Sequence, residues 1–370
     1  MIKLVSIVGA RPQFVKAAVV SRMIVHQQAK GSRHSLSEVL VHTGQHYDAN
    51  MSDIFFEEMG IPAPSYHLGI AGGSHGRMTG RMLEAIEEVL LAELPDMVLV
   101  YGDTNSTLAA ALAAAKLHLP VAHVEAGLRS FNRRMPEEVN RVLTDHVSEL
   151  LFAPTATAVN NLKREAVSAE GIHLVGDVMY DAAILFGDQA ARTSGILERL
   201  GVVSGEYVLA TIHRAENTGD PRRLRAILDG LSAVARDVPI VLPMHPRVRQ
   251  TFRGGTAAGL DGVTVIDPVG YLDMVMLERS ARLIVTDSGG VQKEAYFHRV
   301  PCVTLRDETE WVELVETGWN TLLPPVSREE VADGLRAALT SPPRDGASAA
   351  DLYGDGTAAE QIVRILSQRE

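Results

Sequence analysis

Cysteine is nearly missing from this chain: Cys302 is the only one, so no intrachain disulfide can form, and such usage suits a reducing compartment. Cys302 follows Pro301 in an apolar segment and reads as a core residue rather than a nucleophile. No apolar run approaches the roughly 18–20 residues of a membrane span. With the first strand beginning at Ile2, no secretory signal is expected. Basic residues are in deficit, with 35 Lys and Arg against 46 Asp and Glu and a net charge of −11, which argues against a general nucleic-acid surface. The 13 histidines are scattered and form no close His/Cys ligand pair, so a metal site is disfavoured. Internal short-period repeats and low-complexity tracts are absent as well. These absences lead to the expectation of a soluble, cytoplasmic protein with no nucleic-acid or membrane partner.

What is present is material for two cores. A chain of 370 residues, 46% hydrophobic and 22% charged, exceeds the usual single-core size. Short apolar runs alternate with longer helical segments. The strand candidates are residues 2–8, 39–43, 97–101, 121–124, 150–152 and 172–175, then 207–212, 240–242, 263–266, 283–286 and 302–305. Runs this apolar fit strands buried on both faces, and the alternation predicts an α/β fold of two doubly wound parallel sheets, Rossmann-like. Ligands of such sheets sit at the carboxyl ends of the strands. The expected domains are 1–175 and 176–355, with a helix in 356–370 packing back on the first; 341–348, with Pro342, Pro343 and Gly346, reads as a surface linker.

Polar residues cluster at those strand ends. Thr286-Asp287-Ser288-Gly289-Gly290-Val291-Gln292-Lys293-Glu294 follows an apolar run and precedes a helix expected to begin at Val291. That order points backbone amides and a helix dipole at an anion, so Ser288, Gly289 and Gly290 are phosphate-cradle candidates. Glu294 is placed to accept from ribose hydroxyls. A plain turn capped by Asp287 or Ser288 gives the same pattern. After residues 2–8 comes Gly9-Ala10-Arg11-Pro12-Gln13-Phe14-Val15-Lys16, where one glycine is too few for a dinucleotide fingerprint, so no nicotinamide cofactor is indicated. Arg11 and Lys16 instead put two cations at a helix entrance, suited to a diphosphate, or simply to solvent.

Carboxylates come next. Asp103 ends the run 97–101 and serves either a site or the N-cap of the helix through Lys116. Glu125 ends 121–124, where burial demands a partner, and Arg129 is the nearest candidate. Pro136 opens a helix with Glu137 and Glu138 in its first turn. Adjacent helical residues do not share a face, so Glu137 is expected to face a site and Glu138 to point elsewhere. His213 ends the first strand of the second half, and His245 holds a similar position after 240–242.

Taken in order, Gly9-Ala10-Arg11-Pro12, Gly102-Asp103-Thr104, His123-Val124-Glu125-Ala126-Gly127-Leu128-Arg129, Pro136-Glu137-Glu138-Val139-Asn140-Arg141, Thr211-Ile212-His213-Arg214-Ala215-Glu216-Asn217 and Thr286-Asp287-Ser288-Gly289-Gly290 closely resemble the non-hydrolysing UDP-N-acetylglucosamine 2-epimerases. The resemblance covers almost the whole chain. It implies the GT-B type of two Rossmann-like domains facing across a cleft, a UDP-sugar substrate, no cofactor and a homodimer. By that resemblance Asp103, Glu125, Glu137 and His213 fall at catalytic positions. Arg11, Lys16, His245, Ser288, Gly289, Gly290 and Glu294 fall at positions that bind UDP. The implied chemistry is elimination of UDP to a glycal, followed by readdition with inversion at C2.

The chain departs from the common pattern in three places. Gln45-His46 continues as Tyr47-Asp48, in a segment associated with a second, activating UDP-sugar site in some relatives. Trp311-Val312 stands where many relatives have Arg-Pro. Arg129-Ser130-Phe131-Asn132-Arg133-Arg134 carries three arginines and resembles relatives that act on UDP-2,3-diacetamido-2,3-dideoxyglucuronate. A GT-B glycosyltransferase shares the fold and the UDP cradle but needs no acid–base set around C2, and a binding-only sensor has no use for so many carboxylates.

Overall fold

The computed structural model describes residues 1–29, 35–45, 59–244, 260–341 and 352–369. The chain forms two compact units, Met1–Ala182 with Ala349–Glu370, and Ala183–Ser348. In the first, β1 (Ile2–Val8) leads to α1 (Arg11–Ala29), β2 (Leu36–His42), β3 (Tyr66–His67), α2 (His75–Glu93), β4 (Met97–Tyr101) and α3 (Asn105–Lys116). Then follow β5 (Val121–Val124), α4 (Pro136–Val147), β6 (Leu150–Ala153), α5 (Ala156–Arg164) and β7 (Ile172–Leu174), and α6 (Val178–Thr193) runs from the first unit into the second. The second unit continues with α7 (Ile196–Leu200), β8 (Val208–Thr211), α8 (Ala215–Thr218), α9 (Pro221–Val234), β9 (Ile240–Pro243), β10 (Val263–Ile266) and α10 (Tyr271–Ser280). It closes with β11 (Leu283–Thr286), α11 (Gly289–Phe297), β12 (Cys302–Thr304), α12 (Val312–Glu316), β13 (Asn320–Leu322) and α13 (Arg328–Thr340). A last helix, α14 (Ala358–Ser367), packs on α1.

Each unit is built on one parallel sheet. The strand orders are β3-β2-β1-β4-β5-β6-β7 and β10-β9-β8-β11-β12-β13. Both orders reverse direction once, between β1 and β4 and between β8 and β11, and those switch points are where doubly wound sheets open a crevice for a ligand. The register places the last residues of the switch-point strands side by side, as with Thr211 and Thr286.

Alternation within a strand feeds two cores. Val208, Ala210, Leu283 and Val285 pack with Ile227 and Leu231 of α9 and Val331 and Leu335 of α13. The intervening Leu209 and Ile284 face the other way, with Leu277, Ala295 and Cys302. In the first unit Val5, Ile7, Val98 and Val100 meet Met82 and Ile86 of α2 and the alanines of α3. Cys302 is a core residue, its thiol pushed up to about 12 by burial.

The strands at 2–8, 97–101, 121–124, 263–266 and 283–286 have the expected limits, and others shift by a residue or more at their ends. The two-residue β3 and three-residue β13 lie at sheet edges and were not expected, because so few residues carry no period. The cradle helix begins at Gly289, not Val291, since Ser288 caps it. All but Ser341 of the expected linker lies outside the described residues. No helix among the described residues is long and apolar enough to cross a membrane.

Candidate active site

In the first unit, Gln13 fastens the switch point. Its Oε1 accepts from the amides of Gly9 (2.8 Å) and Ala10 (3.0 Å), and its Nε2 donates to the Tyr101 carbonyl (2.7 Å). The end of β1 is thus tied to the end of β4. Gln13 is not among the residues the motif singles out, although its place in the first turn of α1 is a signal. Arg11 is the first residue of α1 and exposed. Lys16 lies further along the helix, buried in an ion pair with Glu125, both side chains under a tenth exposed.

Glu125 has a φ of 73°, in the left-handed region that costs an ordinary residue on the order of 1–3 kcal/mol. The bend is held by the amides of Glu125 and Ala126, which both donate to the Phe152 carbonyl on β6 (3.1 Å each). It turns the carboxylate back over β4, toward Gly102. A Cβ on Gly102 would stand 3.3 Å from Glu125 Oε2 and 3.4 Å from Lys16 Nζ, so glycine there leaves room for the pair and also takes a φ of 64°. The expected Glu125–Arg129 pair does not form. Arg129 pairs with Asp145 (2.7 Å) and Glu165 (2.7 Å), because the bend at Glu125 sends the two side chains apart.

Asp103 is not the N-cap of α3. Thr104 is, in a reciprocal arrangement with Thr107, and Asp103 is left to pair with Arg141 of α4. Asn140, one residue earlier on α4, donates to the Asp103 backbone carbonyl (2.9 Å). Beneath this turn the fully buried His123 bridges two acceptors, Asp145 Oδ1 (2.7 Å) and the Gly102 carbonyl (2.7 Å). Burial works to raise the Asp145 carboxyl, but His123 and Arg129 outweigh it and hold it below its ordinary value.

Glu137 is exposed on the first turn of α4, and Glu138 is buried, as adjacent helical residues should differ. Glu138 is nevertheless not idle. Its carboxylate accepts from the Ser130 amide (2.9 Å), the Ser130 hydroxyl (3.0 Å) and the Phe131 amide (2.9 Å), and from Arg141 Nη1 (3.0 Å). Sequence spacing carried no sign of this, because the partners belong to an irregular turn.

In the second unit Asp287 organises the switch point. Fully buried, it accepts from the amides of His213 (3.0 Å) and Arg214 (3.0 Å) and from Asn217 Nδ2 (3.1 Å), and it lies 3.1 Å from His213 Nδ1. Burial acts to raise its carboxyl, yet His213 and Asn217 hold it below the usual carboxylate range. The carboxylate fixes the imidazole by Nδ1, with the ring 44% exposed. The Ser288 amide donates to Thr286 Oγ1 (3.0 Å), and its hydroxyl caps α11 by accepting from the Val291 amide (3.5 Å). Gly289 and Gly290 then form the first turn of α11, where amides have no intrahelical acceptor. Glu310, paired with Arg306 (3.0 Å) and near Arg214 (4.0 Å), lies against Gly289. Glu294 is half-buried in the second turn. His245 lies outside the described residues.

The structure therefore gathers Arg11, Lys16, Asp103 and Glu125 around one switch point, with Glu137 on the helix that ties down Asp103. It gathers His213, Ser288, Gly289 and Gly290 around the other. Among the described residues no group of three or more His, Cys, Asp or Glu is arranged to hold a metal ion.

Two doubly wound parallel sheets with polar switch points place the chain among the α/β proteins whose ligand crevices open at the carboxyl ends of the strands. Residues 28–367 match the family described as UDP-N-acetylglucosamine 2-epimerase. The chain is 53% identical over 370 residues, 99% of each protein, to UDP-2,3-diacetamido-2,3-dideoxy-D-glucuronate 2-epimerase of Pseudomonas aeruginosa. Its fold matches the crystal structure of Methanocaldococcus jannaschii UDP-GlcNAc 2-epimerase in complex with UDP-GlcNAc and UDP, at a TM-score of 0.86 and 42% identity over 99% of this chain and 100% of that one. The Neisseria meningitidis UDP-GlcNAc 2-epimerase bound to UDP-GlcNAc gives a TM-score of 0.86 at 29% identity, over 99% of this chain and 100% of that one. The chain belongs to the UDP-N-acetylglucosamine 2-epimerase family.

Proposed function

We propose that this protein interconverts UDP-N-acetylglucosamine and UDP-N-acetylmannosamine, in the supply of precursors for cell-surface polysaccharide. The observation that carries the reading is the carboxylate set of the first unit. Asp103 and Glu125 end neighbouring strands, each paired with its own cation, and Glu137 opens α4. Removing a weakly acidic C2 proton and returning one to the opposite face needs donors and acceptors on both sides, which several carboxylates supply and one does not. A glycosyltransferase has no need of them.

The second unit supplies the UDP cradle. The amides at Gly289 and Gly290, with the dipole of α11, stabilise charge on the departing diphosphate, and Glu294 accepts from ribose hydroxyls. His213, oriented by Asp287, donates to a phosphate oxygen, and Arg11 adds a cation. The side chains of Lys16 and Ser288 act indirectly: Lys16 pairs with Glu125 and fixes its position, and Ser288 caps the cradle helix. We place His245 in the UDP site on the resemblance alone. The protein acts in the cytoplasm as a homodimer, and light scattering at micromolar concentration tests the dimer.

A second reading is favoured by one observation, the 53% identity to the diacetamido-glucuronate enzyme. On that reading Arg133 or Arg134, both exposed, pairs with a C6 carboxylate. Proton NMR of each UDP-sugar incubated with the protein decides between the two. Formation of UDP-N-acetylmannosamine supports the first reading, and turnover of the uronate alone overturns it. In the second case Arg133→Gln or Arg134→Gln raises KM for the uronate by the roughly 1.5–3 kcal/mol of a charge-assisted hydrogen bond.

A further inference from the structure

Glu138 accepts four hydrogen bonds beside the proposed acid–base set, yet it does not face solvent. It is 2% exposed. Three of its contacts come from the turn after β5, through the Ser130 amide and hydroxyl and the Phe131 amide. That turn is strained: Phe131, a bulky aromatic, has a φ of 59° and is 74% exposed. Such a conformation persists only where its surroundings over-determine it. The fourth contact is Arg141 Nη1, whose other terminal nitrogen pairs with Asp103. One carboxylate therefore fixes the turn on one side and the guanidinium that aims Asp103 on the other.

We propose that Glu138 is a positioning residue for the epimerisation, holding Asp103 through Arg141 and setting the Ser130–Phe131 turn in the same act. The inference rests on the functional reading above. Oε2 accepts from Ser130 and Arg141 and Oε1 from the Phe131 amide, so a glutamine keeps the shape but loses the charge and turns an amide N–H against a donor, either at Phe131 or at Ser130 and Arg141. With Glu138 gone, the guanidinium is free to swing away from the geometry that presents Asp103. A displacement near 1 Å far from the reacting atoms costs about 10²-fold in rate.

The test is a steady-state comparison of the full-length parent with Glu138→Gln, Asp103→Asn and the double variant, with thermal melts on each. For Glu138→Gln we expect kcat lowered about 10- to 100-fold, with KM and UDP affinity within about threefold. The double variant is expected to lose little beyond Asp103→Asn alone, because both changes act on one group. A folded Glu138→Gln protein with kcat within threefold of the parent overturns the proposal, and so do fully additive losses. If Glu138→Gln does not fold, Arg141→Lys keeps a cation beside Glu138 but removes the fork to Asp103. An unchanged kcat in that variant also overturns the proposal. A parent that turns over no UDP-sugar overturns the functional reading itself, whereas an active parent with an indifferent Glu138→Gln overturns the role of Glu138 alone.

Discussion

Most charges in the proposed site are bound to partners, and that decides how they respond to substitution. Lys16 and Glu125 form a buried pair, so Lys16→Met leaves a carboxylate without its cation in a poorly solvated place. Removal of one partner of a buried pair costs about 3–5 kcal/mol, and urea denaturation should show a loss of that order together with a fall in kcat. Asp103→Asn, Glu137→Gln and His213→Asn should instead leave the fold standing and lower kcat by about 10²–10⁴-fold, with UDP affinity little changed by calorimetry. Asp287 gives a pH signature. Its folded carboxyl is held below the ordinary value by His213 and Asn217 against the effect of burial. Its contribution to stability is therefore complete above the unfolded value, near 4, and is lost as pH falls through the lower folded value. The stability gap between the parent and Asp287→Asn should shrink below about pH 4 in a series of urea midpoints. Asp287 stood in the sequence beside the cradle, but only the fold brings it to His213, 74 positions away.

At the scale of elements, the ends of strands and helices carry the information. Gly127 has a φ of 83°, and a Cβ there would collide with the Ala158 carbonyl at the start of α5. Gly127→Ala should therefore cost well over 1 kcal/mol, read as a lowered melting temperature, because both the dihedral and the space are wrong. The last helix is docked by Asp181, which accepts from the Ala358 (3.2 Å) and Ala359 (2.7 Å) amides at the start of α14. Burial raises this carboxyl to about 6, against the opposing effect of those amides. A raised folded value means that stability falls as pH rises from about 4 to 6, and Asp181→Asn should remove that decline while amide exchange in α14 speeds up. The buried strands could be read from the sequence because each is a run of apolar residues with few alternatives. The edge strands β3 and β13 could not, being too short to show a period. The motifs placed polar residues at the strand ends, but did not show which charges they pair with. Helical geometry separates the faces of Glu137 and Glu138, but not the partners of Glu138, which lie in a turn whose path depends on the strained Phe131.

The whole molecule repeats one plan. The six-stranded sheet repeats the order of the first six strands of the seven-stranded one, and each concentrates polar groups at its switch point, carboxylates and cations in one and helix-start amides with an oriented histidine in the other. The alternation of strands and helices made that plan visible in the sequence, and the order of the motifs pointed to the family. The substituents of the sugar were not visible, since no spacing rule describes the environment of exposed side chains such as Arg133 and Arg134. In the proposed reaction the C2 proton leaves to solvent and returns from it while UDP departs and comes back. Incubation of the protein with UDP-N-acetylglucosamine in heavy water, followed by proton NMR, tests it most directly. Deuterium is expected at C2 of both substrate and product, appearing as the two epimers equilibrate, and epimer formed with its original C2 hydrogen retained would contradict the mechanism.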